Sequence, residues 1–75
     1  MAKTLEEIIK YEKEHRHEDG MFGIKACKES VIFTRDFLKK SLYQQLEEYV
    51  KRANEEPLFN GAMVLACWEL INGQE

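Results

Sequence analysis

The sequence predicts an all-α protein: a small bundle of three to four helices around a long central helix, straight or kinked, completed by oligomerisation. Three observations point there. No Gly or Pro interrupts the chain between Ile24 and Glu56, and apolar residues recur through that window at helical spacing. Two Ser/Thr-x-x-Glu/Gln signatures, Thr4–Glu7 and Ser41–Gln44, have the form of capping boxes. Residues 58–71 carry apolar side chains nearly all round a helix, which calls for burial on every face.

The first element starts at Thr4, where hydroxyl and Glu7 carboxylate can satisfy the orphan amides of a helix start reciprocally. Leu5, Ile8 and Ile9 then form one short apolar stripe. From Glu12 to Asp19 no residue is apolar, so that stretch reads as a solvated or frayed helical end closed by Asp19-Gly20.

The central window carries most of the information. At about 100° per residue, Ile24, Cys27, Val31, Leu38, Leu42, Leu46, Tyr49 and Ala53 fall on one arc, and Ala26, Phe33 and Phe37 form a second strip. A short hairpin over Ile24–Thr34 is the competing reading, since Val31-Ile32-Phe33-Thr34 is rich in strand formers, but Cys27-Lys28-Glu29-Ser30 is a poor hairpin turn. The Ser41 signature argues for a break near Lys40, whereas the apolar arc crosses that point in phase. An unbroken helix over 24–54 would be about 46 Å long. A compact chain of 75 residues spans roughly 30 Å. Either the helix bends at Ser41 or a second subunit covers the overhang.

The last element follows Pro57, which suits a first helical turn, with Asn60 as another candidate cap and Asn72-Gly73 as the stop. The first element offers few strong apolar residues to cover it. That imbalance predicts a homo-oligomer, a dimer above all, or an obligate protein partner. Its association surface would comprise Phe33, Phe37, Phe59, Met63, Val64, Leu65 and Trp68, with Tyr43 as a further interface anchor.

Composition narrows the function classes. The 75 residues read as a single helical domain, 44% hydrophobic and 33% charged, which is not the make-up of a disordered chain. The longest apolar run, Ala62–Trp68, is too short for a membrane span, and the start shows no secretory apolar region. Cys27 and Cys67 form no CxxC pattern, so the expected setting is cytoplasmic with buried, reduced thiols. The net charge of −3 is unevenly spread: −2 over residues 1–20, +3 over 21–53 and −4 over 54–75. Such separation favours antiparallel or head-to-tail pairing of copies, while the acidic total argues against generic nucleic-acid binding.

Few side chains carry a chemical signature. His15, His17 and Asp19 have metal-ligand chemistry, yet three converging ligands are not assembled by that spacing, and a solvated helix end is expected. Neither cysteine has a base beside it in sequence, so a Cys–His pair is unsupported. Adjacent pairs such as Glu6/Glu7 and Glu47/Glu48 point to different sides of a helix. No phosphate loop, GxSxG elbow or HExxH run occurs, and no catalytic residue, metal or cofactor is expected. Lys25, Lys28, Arg35 and Lys39 fall within about 80° on the central helix and form a basic ridge. It is a solvated face, a contact for an acidic protein, or a seat for a nucleic-acid backbone; Glu29 and Asp36 weaken the last reading. The expected function is therefore a small interaction module that self-associates and regulates a partner macromolecule. Its rivals are a nucleic-acid-associated protein and an oligomer holding a small ligand between subunits.

Overall fold

Helices α1 (Leu5–Glu14), α2 (Ile24–Leu38), α3 (Leu42–Glu55) and α4 (Ala62–Ile71) follow one another in a computed structural model that describes residues 2–16, 18 and 20–73. Among the described residues there is no strand, so the fold is all-α and the Ile24–Thr34 segment lies within a helix.

Both capping boxes form. Thr4 Oγ1 accepts from the Glu7 amide at 3.2 Å, while the Thr4 amide donates to Glu7 Oε1 at 3.0 Å. Ser41 Oγ accepts from the Gln44 amide at 3.2 Å, and the Ser41 amide donates to Gln44 Oε1 at 2.9 Å. These bonds satisfy donors that the first turn leaves orphaned. Helix α1 ends earlier than expected, at Glu14 with His15 as its cap, because Arg16 leaves the helix to reach Glu69. Gly20 takes φ 90, as a left-handed turn residue does; Asp19 lies outside the described residues.

The central window is two helices. Lys39 adopts a left-handed conformation (φ 57), its amide donates to the Arg35 carbonyl, and the Lys40 amide donates to the same carbonyl at 3.1 Å. This is a Schellman-type closure, in which a six-to-one bond ends the helix. The longest dimension of the molecule is 31 Å and its radius of gyration is 11.3 Å, so the overhang of an unbroken helix never arises.

The reversal at Lys39 folds α3 back so that α1, α2 and α3 all pack on α4, while α2 and α3 touch each other only sparingly. Val64, Leu65, Ala66 and Cys67 keep no more than 1% of their surface in solvent. They meet Ile8, Ile9, Ile24, Cys27, Val31 and Tyr49 in one core cluster. The expectation that a second copy must cover α4 counted α1 alone as its cover. With α2 and α3 also on α4, its central residues Val64–Cys67 are buried within one chain. Pro57 lies in a turn where the Phe59 amide donates to the Glu56 carbonyl at 3.1 Å, and α4 begins only at Ala62, so Leu58 stands 98% exposed. Gly61 is the N-cap of α4, and Asn60, one residue before it, still satisfies a first-turn donor: its Oδ1 accepts from the Ala62 amide at 3.0 Å. Gly73 (φ 71) closes α4 as the sequence predicts.

Candidate binding surface

The residues expected to form an association surface separate into three groups. Val64 and Leu65 lie inside the chain's own core and have no surface to offer, a correction that follows from the centre of α4 being buried under the other helices. Phe59, Met63 and Trp68 are half-buried. Phe59 stacks on Tyr49 at 5.8 Å with the Arg52 guanidinium 4.7 Å above its ring, and the Lys13 ammonium sits 4.6 Å above Trp68. Cation–π contacts of this kind tie long side chains down over half-buried rings. Only Phe33 and Phe37 from the expected set stand open, 69% and 73% exposed. They lie one turn apart on α2 and stack on each other, centroids 6.0 Å apart. Their face of α2 points away from the stripe Ile24–Cys27–Val31 that meets the core. Tyr43, expected as an interface anchor, is likewise exposed at 67%.

The basic ridge is broken up by ion pairs. Lys28 turns inward to Glu69 Oε1 at 3.0 Å, its side chain only 13% exposed. Arg35 bonds Asp36 at 3.1 Å. Lys25 and Lys39 are exposed, with Lys39 committed to the turn that ends α2. Four like charges along one face, as sequence periodicity arranges them, are thus not presented together.

Glu69 is the charged residue whose role the sequence hid. It is 2% exposed, in the last turn of the most apolar helix. Arg16 grips it with Nη1 and Nη2, at 2.6 and 3.1 Å, while its Nε faces Glu18, and Lys28 adds a third bond to Glu69. A buried carboxylate needs such company, because a charge removed from water without partners costs several kcal/mol. The cluster fastens the segment after α1 and the start of α2 onto α4. One acidic residue breaking an apolar run was the available signal.

Burial holds both thiols in the protonated form. Burial pushes the Cys67 thiol up to about 11, and its Sγ donates to the Leu42 carbonyl at 3.2 Å. Burial, and to a smaller extent the Glu12 carboxylate, also raises Cys27, which meets the Asn60 amide at 3.7 Å. Both cysteines are free. Among the described residues no group of three His, Cys, Asp or Glu side chains could hold a metal ion. His15 stacks on Tyr11 at 4.1 Å and its Nδ1 meets the Tyr11 carbonyl at 2.8 Å; His17 lies outside the described residues.

A cleft of about 520 Å³ opens where α2 and α3 diverge, between Thr34, Leu38, Gln45, Tyr49 and Met63. Gln45 is 1% exposed and its amide nitrogen has no hydrogen-bond partner. Burial raises the Tyr49 hydroxyl above its ordinary range, an effect opposed by a bond with Thr34. Sequence reading passed over Gln45, although it falls three residues after Leu42 and four before Tyr49, on the inward arc.

No family model, no curated protein and no solved structure matches the chain. No helix among the described residues is long and apolar enough to cross a membrane.

Proposed function

We propose that this protein is a small interaction module that works by docking, through the Phe33–Phe37 face of α2, and not by catalysis. The observation that carries this reading is the aromatic pair itself. Two phenylalanines stay in water on a helix whose opposite face is already engaged in the core. Aromatic side chains are the usual anchors of protein interfaces, and holding them on a regular helix keeps the entropy cost of docking low. Tyr43 and Leu58 add exposed apolar area elsewhere on the surface. The buried, free thiols agree with a cytoplasmic setting. Nucleic-acid binding is the weaker alternative, since Lys28 and Arg35 already serve carboxylates.

Light scattering over a concentration series, on the wild type and on the double variant Phe33→Ser/Phe37→Ser, tests the proposal. A multiple of 8.9 kDa that reverts to monomer in the variant identifies a second copy as the partner. If the wild type is monomeric, a protein retained by it and lost by the variant identifies a heterologous partner. Equal behaviour of both proteins in both assays rejects the aromatic face as a working surface.

A further inference from the structure

We infer that the cleft between α2 and α3 is a second binding site, one that takes a neutral amide group carried on an apolar body. The inference does not depend on what covers Phe33 and Phe37.

The floor of the cleft supplies the first argument. Gln45 is 1% exposed, yet its amide nitrogen has no partner. Native proteins satisfy nearly all such groups; the nitrogen lies just beneath the cleft surface, so a ligand acceptor meets it once the side chain turns outward. The terminal torsion of a glutamine is soft, so the carboxamide can turn to present either its N–H or its carbonyl.

The wall supplies the second. Leu38 belongs by its spacing to the inward arc of α2, with Ile24, Cys27 and Val31, which are at most 3% exposed. Leu38 is nevertheless 47% exposed, because α3 diverges from α2 and leaves it facing the cleft. Together with Met63 it offers an apolar lining beside the orphan amide. At about 520 Å³ the space is within the usual range for small-ligand sites.

Charge and local precedent decide the ligand. The rim carries Lys40, Lys51 and Arg52 against Glu48, Glu55 and Glu56, a balance of zero. Lys40 is bonded to Glu48 at 2.6 Å and Arg52 to Glu56 at 3.0 Å, so the rim neither attracts an ion nor needs one. On the same helix, Asn54 shows what a carboxamide does with a neutral chain. It accepts from the Lys3 amide at 2.6 Å and donates to the Lys3 carbonyl at 3.0 Å, gripping both polar groups of one residue. Gln45 has the same chemistry, and its Nε2 has no partner. The ligand it fits is a peptide-like amide whose apolar side chain lies on Leu38 and Met63. That group can belong to a small molecule or to the interior of a bound polypeptide.

The probe is N-acetyl-leucine N-methylamide, titrated into ¹⁵N- and methyl-labelled protein. The expected result is saturable shifts at the Gln45 side-chain amide and at the Leu38 and Met63 methyls. Gln45→Leu is expected to fold with a raised Tm, since a buried orphan polar group is removed, and to bind about tenfold more weakly. Leu38→Ser, at a half-exposed position, weakens binding without loss of fold and guards against a misfolded first variant. A capped tetrapeptide that binds more tightly than the single capped residue identifies a polypeptide as the source; equal binding identifies a small amide. No saturable shift at the cleft, unaltered binding by both variants, or tighter binding of the charged N-acetyl-leucine overturns the inference.

Discussion

Glu69 concentrates the electrostatics of this molecule in one side chain. Its carboxylate is 3% exposed and sits between Arg16, about a third exposed, and Lys28. Removing it takes from Arg16 and Lys28 the buried carboxylate they share, and Arg16 keeps only its exposed partner Glu18 among the ion pairs described. Glu69→Ala should therefore destabilise the fold by about 3 kcal/mol in a denaturant titration, the lower part of the range for breaking buried pairs because Arg16 keeps access to water. A change under about 0.5 kcal/mol would mean that the pair is solvated and the clamp on α4 is not made. Cys67 makes an independent prediction at the same scale. Its thiol titrates near 9.0 when unfolded and near 11 when folded, because burial disfavours the thiolate. Well below pH 9 both states stay protonated and nothing is lost. Between pH 9 and 11 the unfolded state gives up its proton first, so stability must fall as pH rises through this window. Comparing unfolding of the wild type with Cys67→Ala at pH 8 and pH 10.5 isolates the effect: the wild type should lose the more stability of the two. The buried thiol was legible from the apolar face on which Cys67 falls, while the clamp was not. Periodicity places Glu69 and Cys67 on a helix without saying which side chains from other elements will meet them.

Elements were more legible, wherever their ends are written in side-chain chemistry. Thr4 and Ser41 announce two helix starts because their hydroxyls compete for the orphan amides, a purely local effect. The end of α2 is not written that way. Lys39 takes the left-handed conformation that usually falls to Gly, so no residue type marks the stop, and the apolar arc runs through it from Leu38 to Leu42 in phase. The sequence thus left open whether residues 24–54 bend, and the answer came from the Ser41 box and the Lys40–Arg35 bond acting together. A left-handed non-glycine residue costs roughly 1–2 kcal/mol. Lys39→Gly should then raise stability by about 0.5–1 kcal/mol once the greater freedom of Gly in the unfolded chain is deducted. The check is a shift of the urea midpoint at constant slope. A loss instead would show that the Lys39 side chain contributes more than its backbone costs.

At the scale of the whole molecule, the sequence conveyed what had to be buried and not what would bury it. The apolar girth of residues 58–71 marks α4 as a helix to be covered, and its centre is buried, but most of the cover came from α2 and α3 and less from α1. Charge behaves alike: the basic middle and acidic end of the chain meet inside one molecule, as Lys28 with Glu69, where the sequence suggested pairing between copies. A helix that touches all three others makes the fold depend on one set of contacts, and this yields the sharpest stability prediction. Leu65 is 1% exposed and belongs to the core cluster in which α1, α2 and α3 meet α4. Leu65→Ala should cost about 3 kcal/mol in lost transfer energy and residual cavity. For a chain this short that is a large share of a total near 4–11 kcal/mol, and Tm should fall by roughly 12–24 °C. Because every other helix leans on α4, the loss must be shared. Helical circular dichroism and Trp68 fluorescence should melt together in the variant as in the wild type. If α3 kept its ellipticity after the Trp68 signal had gone, its packing on α4 would be dispensable and the fold would not be organised around its last helix. Coincident, lowered transitions would place that organisation in the side chains between Val64 and Cys67, which leaves the outer face of α2 available for binding.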